Sequence, residues 1–128
     1  MRAWVIALIV LAGCAGIAWA QDPAAGEQVF RRMCLACHDV GPAAKAKLGP
    51  PLNGINGRKA GTYEGYTYTD ANKNSGIVWS ETTFAPYIRS PTQAIPGTKM
   101  AFAGLKNDKD IVDLWAYLKQ FGPDGQKQ

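Results

Sequence analysis

Apolar residues recur at helical spacing near both ends of the chain, beyond an apolar leader. Asp22-Pro23 is a typical helix start, with Asp as N-cap and Pro at the first helical position. The apolar residues that follow fall on one helical face: Ala25, Val29, Phe30 and Met33. A second helix is predicted to begin at Asn107/Asp108 and to end at Gly122-Pro123. Its apolar stripe is Ile111, Leu114, Trp115 and Leu118. The tail, Asp124–Gln128, lacks such a pattern and is predicted to be disordered.

The middle of the chain lacks a sustained hydrophobic period. Residues 39–79 are rich in turn-forming pairs such as Asn53-Gly54, and only a short helix is predicted, near Ala71. Another helix is predicted from Ser80, with Ser90-Pro91 ending it and Phe84, Tyr87 and Ile88 as its apolar residues. Pro86 lies inside it and is expected to remove a hydrogen bond and distort the first turns. Since no strand pattern persists, the sequence predicts an all-α fold with long loops.

Composition limits the core that this chain can build. The 128 residues suffice for one domain, and residues 21–128 contain 12 of the 14 Gly and all 8 Pro. So many helix breakers exclude a long coiled coil, a repeat array or a helix-dense bundle. A small core with many loops usually needs disulfides, a metal or a large cofactor. The sequence therefore predicts a core that protein side chains alone leave underfilled.

Residues 1–20 have the pattern of a secretory signal peptide. A positive start at Met1-Arg2 precedes an uncharged apolar run, and Ala18-Trp19-Ala20 fits a signal peptidase site. Cleavage after Ala20 is favoured and leaves residues 21–128 as the exported domain. Two alternatives stay open: lipidation at Cys14, whose context Leu11-Ala12-Gly13-Cys14 resembles a lipobox, and an uncleaved leader that anchors the chain. Every route delivers the domain to an oxidising space.

The exported domain carries a modest positive charge. One of the 14 Lys and Arg residues is Arg2, so residues 21–128 hold 13 basic and 10 acidic residues, a net charge of +3. The basic residues are scattered and do not alternate with aromatic residues, which makes nucleic-acid binding a poor explanation. A cationic face for an anionic protein partner is favoured.

Cys34-Leu35-Ala36-Cys37-His38 is a C-x-x-C-H sequence, the pattern of c-type haem attachment. Two thiols at this spacing can form thioethers with the porphyrin vinyl groups, which directs the adjacent imidazole towards the iron. A redox-active C-x-x-C favours a βαβ context that is not visible, and a disulfide across so short a loop stabilises little. A zinc site would need a carboxylate as fourth ligand, because His38 is the only histidine.

The second axial ligand decides between electron carrier and enzyme, because an open iron position invites small ligands. With no second histidine, the thioether of methionine is the natural ligand. Met1 lies in the leader, and Met33 directly precedes the attached segment and cannot easily reach the far face. Met100 remains, and its alternative interpretation is ordinary core packing.

Over about residues 24–121, the chain resembles class I cytochromes c, specifically mitochondrial cytochrome c and the bacterial cytochromes c2. The resemblance implies an all-α class I fold of four to five short helices, with long loops around one covalently bound haem c and crossing terminal helices. It is carried by these segments: Cys34-x-x-Cys37-His38, Leu48-Gly49-Pro50, Gly57-Arg58-Lys59, Tyr68–Asn74, Gly76–Trp79, Pro96–Met100 and Leu114–Leu118.

The resemblance also implies roles for individual residues. The carbonyl of Pro50 would accept a hydrogen bond from the proton-bearing nitrogen of His38, and the hydroxyl of Tyr87 would lie beside the sulfur of Met100. A polar group would surround the haem propionates: Arg58, Tyr68, Asn72, Trp79 and Thr98. Phe102 would lie near the exposed ring edge. Gly26 and Phe30 would meet Leu114 and Tyr117 where the first and last helices cross.

The implied function is that of a soluble, monomeric periplasmic one-electron carrier and not an enzyme. Its partners would be redox proteins such as a bc1 complex, a terminal oxidase, a photosynthetic reaction centre or a periplasmic dehydrogenase. The alternatives are a membrane-tethered subunit, or a haem enzyme or gas sensor with an open iron position. Fewer lysines surround the predicted haem edge than in mitochondrial cytochrome c, so weaker electrostatic docking is expected. The remaining candidates for partner contact are Lys45, Lys47, Lys99 and Lys106.

Overall fold

Five helices connected by long loops make up the described part of the chain. The computed structural model describes residue 16 and residues 19–128, so Cys14 and the predicted leader, apart from residues 16, 19 and 20, lie outside the described residues. The helices are α1 (Pro23–Met33), α2 (Asp70–Lys73), α3 (Glu81–Arg89), α4 (Pro91–Ala94) and α5 (Asp108–Leu118). Within these residues β-structure is limited to two isolated bridges, Lys59 with Val78 and Phe121 with Lys127, which confirms the all-α prediction. None of the helices described could cross a membrane, given their lengths and apolarity.

The terminal helices α1 and α5 pack closely against each other. A Cβ atom on Gly26 would lie 1.9 Å from the carbonyl oxygen of Asp113, so only glycine allows this approach. The rings of Phe30 and Tyr117 lie 5.6 Å apart across the same contact. The buried carboxylate of Asp113 accepts hydrogen bonds from the backbone N–H of Asp22 and from Lys109, at 3.0 and 2.7 Å. The hydrogen bond between Asp22 and Asp113 fixes the position of the start of α1 on α5. Because α1 is a rigid helix, it also fixes the position of the segment that begins at Cys34.

Helix α3 begins at a capping box, in which Ser80 and Thr83 satisfy each other's backbone N–H groups. The helix continues through Pro86 to Arg89, so Tyr87 remains helical despite the proline before it. Pro91 ends α3 as predicted, and it also begins the separate helix α4, which the hydrophobic pattern did not indicate.

The prediction of a disordered tail at 124–128 is wrong. Phe121 is buried, and it forms an antiparallel bridge with Lys127. The backbone N–H of Gln128 donates to the carbonyl of Gln120 at 2.9 Å. Because these partners lie just beyond a helix and are not periodic, the hydrophobic pattern could not reveal them.

Candidate functional site

A cavity of about 570 Å³ lies between the end of α1, the long loops, α3, α5 and the segment 98–102. Its presence agrees with the expectation that the protein alone underfills its core. All twelve residues predicted to contact a haem line it: Cys34, Cys37, His38, Pro50, Arg58, Tyr68, Asn72, Trp79, Tyr87, Thr98, Met100 and Phe102. These residues span 69 positions of the chain, and the fold brings them around one cavity.

The C-x-x-C-H segment forms a tight turn directly after α1. Cys34 caps the helix by donating its N–H to the carbonyl of Phe30, at 2.8 Å. The N–H groups of Cys37 and His38 then donate to the carbonyl of Cys34, at 3.0 and 2.9 Å. This turn places both sulfur atoms and the imidazole at the cavity. Cys34 and Cys37 are not joined in a disulfide, and burial raises the pKa of the Cys34 thiol to about 11.

The imidazole of His38 is held in one orientation by the loop that carries Pro50. Its Nδ1 lies 2.7 Å from the carbonyl oxygen of Pro50, which can only accept, so Nδ1 carries the proton. The lone pair therefore resides on Nε2. Burial is the main influence on this ring and lowers the pKa of His38, which favours the neutral form that metals bind. Gly49 packs against the ring so closely that a Cβ atom there would lie 2.4 Å from Cε1.

The thioether of Met100 also lines the cavity and has one polar partner. The hydroxyl of Tyr87 lies 2.9 Å from Sδ of Met100 and donates to it. Burial raises the pKa of Tyr87 to about 12, so its hydroxyl stays protonated over the physiological range. Met33 reaches the cavity as well, from the last position of α1.

A polar group lies on another part of the cavity wall. The guanidinium of Arg58 donates to the carbonyls of Pro51 and Asn53, at 2.9 to 3.1 Å, and forms no salt bridge within the described residues. Burial lowers the pKa of Arg58. The side-chain oxygen of Asn72 is buried without a hydrogen-bond partner. A partly buried cation without a carboxylate partner favours the binding of an anionic group beside it.

Sequence reasoning missed part of the cavity wall. The unpredicted lining residues include Leu52, Ile55, Gly61, Tyr66, Thr69, Phe84, Ile88, Leu114 and Leu118. Most are apolar and carry no chemical signature, although the apolar positions of α3 and α5 already included Phe84, Ile88, Leu114 and Leu118. Of the four candidate lysines, only Lys99 lines the cavity, where its ammonium lies 4.5 Å from the centre of the Tyr66 ring.

Comparison with known proteins identifies the family. The family model of cytochrome c matches residues 23–122. The chain belongs to the cytochrome c family. It is 57% identical to cytochrome c2 of Blastochloris viridis over 128 residues, the whole of both chains. It is 60% identical to a cytochrome c2 of Rhodoplanes tepidamans over 108 residues, which cover 84% of this chain and all of that one. It is 59% identical to cytochrome c-550 of Bradyrhizobium diazoefficiens over 103 residues, 80% of this chain and 75% of that one.

These comparisons confirm the resemblance to class I cytochromes c and bacterial cytochromes c2. As a member of this cytochrome c family, the chain carries one covalently attached haem c, transfers electrons and is not an enzyme. The cavity fits such a group, because it combines a thiol pair, an imidazole with a lone pair on Nε2 and a largely apolar wall. Arg58 and the unpartnered oxygen of Asn72 supply polar capacity for its carboxylates.

Proposed function

We propose that the chain is a periplasmic one-electron carrier whose haem iron has His38 and Met100 as axial ligands. The observation that carries this proposal is the pair of hydrogen bonds behind the two residues. Pro50 fixes the Nδ1–H of His38 and leaves Nε2 available, while Tyr87 orients the sulfur of Met100 within the same cavity. The thiols of Cys34 and Cys37 would form the thioether bonds.

The haem supplies the one-electron couple between ferric and ferrous iron. The protein residues stabilise both states with little rearrangement. The Pro50 carbonyl makes His38 a stronger donor, and a thioether ligand raises the reduction potential relative to a second nitrogen ligand. The apolar wall excludes water, and Arg58 offsets negative charge on the propionates. Tyr68, Asn72, Trp79 and Thr98 would add neutral polar contacts to them.

A methionine exchange tests the axial ligand, because the cavity wall contains two methionines. We expect Met100→Leu to lower the reduction potential, to remove the red charge-transfer band of ferric haem and to let azide or CO bind. Met33→Leu is the matched control and should retain the parent's potential and spectrum. If Met100→Leu kept the parent potential, Met100 would not be the axial ligand.

Export and processing are also proposals. Cleavage after Ala20 would release residues 21–128 as a soluble chain of 108 residues. The Rhodoplanes tepidamans relative is matched over its whole length by 108 residues, the number that cleavage after Ala20 would leave. We expect the intact mass of the mature holoprotein to equal that of residues 21–128 plus one haem, with the protein in the periplasmic fraction. A mass that corresponds to a chain starting at a lipidated Cys14, or at Met1, would establish a tethered form instead.

Its partners would be redox proteins, and the exposed ring edge near Phe102 would exchange the electron with them. The net charge of +3 on residues 21–128 favours partners with an anionic face. A bc1 complex, a terminal oxidase, a photosynthetic reaction centre and a periplasmic dehydrogenase all fit this description. Lys45, Lys47, Lys99 and Lys106 are the proposed contacts.

A further inference from the structure

The last eight residues of the chain, 121–128, fold back on themselves, and we call this segment the C-terminal clasp. Phe121 and Lys127 form its antiparallel bridge. Inside the turn, the N–H of Gly122 donates to the carbonyl of Gln126 at 2.9 Å. Gly122 and Gly125 are buried although the segment ends the chain. The clasp is therefore packed against another part of the protein.

That part is the base of the loop formed by residues 41–54. The two ends of this loop are joined by the buried side chain of Asn53, which exchanges two hydrogen bonds of 2.9 Å with the backbone of Gly41. The clasp contacts both ends. Its Phe121 carbonyl accepts the N–H of Gly54 at 2.9 Å. On the other side, a Cβ atom on Gly125 would lie 2.2 Å from the carbonyl oxygen of Gly41.

The same loop carries the hydrogen-bond partner of His38. The carbonyl of Pro50 lies in its distal half, 2.7 Å from Nδ1 of His38. Arg58 holds the second half of the loop by donating hydrogen bonds to the carbonyls of Pro51 and Asn53. Hydrogen bonds from the clasp and from Arg58 therefore hold Gly54, Asn53 and Pro51, the three residues of the loop that lie closest to Pro50 on its way back from the tip, apart from Leu52.

We propose that the C-terminal clasp positions the Pro50 carbonyl, and through it the imidazole of His38, by closing the base of the 41–54 loop. The clasp does not line the cavity, so its residues act through the loop. This inference rests on the proposed ligation of iron by His38. With the clasp in place, the hydrogen bond on Nδ1 keeps His38 a strong donor, which favours the ferric state. Without it, the bond opens more often and the donor is weaker.

Two variants disrupt the contact between Gly125 and Gly41 in different ways. Gly125→Ala introduces a Cβ atom that cannot fit beside Gly41. The matched control is Gly76→Ala: Gly76 has a similar positive φ, 73° against 80°, but a Cβ atom there meets nothing within 4 Å. The second variant ends the chain after Gly122, which deletes mostly exposed residues and keeps the Phe121 carbonyl.

The measurements are the solvent exchange rate of the His38 Nδ1 proton, by NMR on the ferrous holoprotein, and the reduction potential. We expect both clasp variants to exchange this proton about fivefold faster or more, the factor that one neutral hydrogen bond represents, and to have a higher potential. Gly76→Ala should leave the Nδ1 proton exchange rate and the potential close to those of the parent. Backbone amides of α3 report on general loss of stability.

An unchanged Nδ1 exchange rate in the variants would overturn the inference, as would acceleration no greater than that of the α3 amides. A shortened chain that fails to fold with haem would overturn it too, since the clasp would then determine the fold and not the position of His38. If ferric parent protein lacked His38 ring signals shifted by the iron, the proposed ligation itself would fail. The two failures are thus distinguishable.

Discussion

At the scale of single residues, the hydrogen bond from Tyr87 to Met100 connects α3 to the segment 98–102. The donor and acceptor lie 13 positions apart in the sequence and 2.9 Å apart in the structure. A hydroxyl that donates to a thioether draws electron density from the sulfur. If Met100 is the axial ligand, this weakens donation to the iron and disfavours the ferric state.

Tyr87→Phe tests this residue-scale effect. We expect the reduction potential to fall by up to about 40 mV, since a neutral hydrogen bond contributes about 1 kcal/mol and 59 mV is tenfold for one electron. Potentiometric titration of the holoprotein measures the change. Tyr66→Phe is the control, because the Tyr66 hydroxyl donates to the carbonyl of Leu48 and does not contact Met100. A potential that stayed the same in Tyr87→Phe would mean that the contact does not tune the iron.

The same tyrosine gives a pH dependence of stability. Burial raises the pKa of Tyr87 to about 12 in the folded protein, against about 10 when unfolded. The folded state thus favours the neutral phenol, and this stabilisation is complete below pH 10 and lost as the pH rises towards 12. Between these values the free energy of unfolding should fall more steeply for the parent than for Tyr87→Phe, by about 2–3 kcal/mol. Urea unfolding across this range measures the difference, and parallel curves would contradict it.

At the scale of elements, the contact between α1 and α5 determines where the C-x-x-C-H turn lies. Cys34 follows α1 directly, so a shift of α1 on α5 displaces both thiols and His38. The close approach depends on Gly26, which packs against the backbone of Asp113 and against Cβ of Tyr117. Helix propensity alone would favour alanine at this position, so packing overrides propensity here.

We expect Gly26→Ala to reduce the free energy of unfolding by about 2 kcal/mol, because overpacking the contact outweighs the gain in helix propensity. Equilibrium urea unfolding measures the loss. Gln28→Ala, on the exposed face of the same helix, should stay within about 0.5 kcal/mol of the parent. Equal stabilities for Gly26→Ala and the parent would show that α1 and α5 can separate at little cost.

At the scale of the whole molecule, charge is dispersed and several lysines are already engaged. The ammonium of Lys47 lies 2.7 Å from the carbonyl of Leu35, and those of Lys99 and Lys106 donate to the carbonyls of Thr67 and Arg89. Lys45 is exposed. Of these four lysines only Lys99 lines the cavity, so they do not form a ring around it.

The second-order rate of electron transfer to an anionic partner should therefore decrease only gradually as ionic strength rises. Stopped-flow measurements over a range of salt concentrations give the slope. Mitochondrial cytochrome c measured with the same partner is the control, and a slope as steep as its own would contradict this prediction.

The sequence alone determined the features that depend on local spacing. The C-x-x-C-H turn, the starts of α1 and α5 and the predicted haem c follow from residues close together in the chain, because caps and helical periods are short-range. Elimination among the methionines gave Met100, the resemblance to the family gave the remaining site residues, and the fold places all twelve around one cavity. Tertiary structure decided what local pattern does not encode: the order of the tail, the approach of Gly26 to Asp113, and the seat of the clasp on the 41–54 loop. These contacts join segments that are distant in the sequence, and the path of aperiodic loops decides which segments meet. Many of the contacts are made by backbone atoms, which are the same in every residue, so the side-chain pattern does not reveal them.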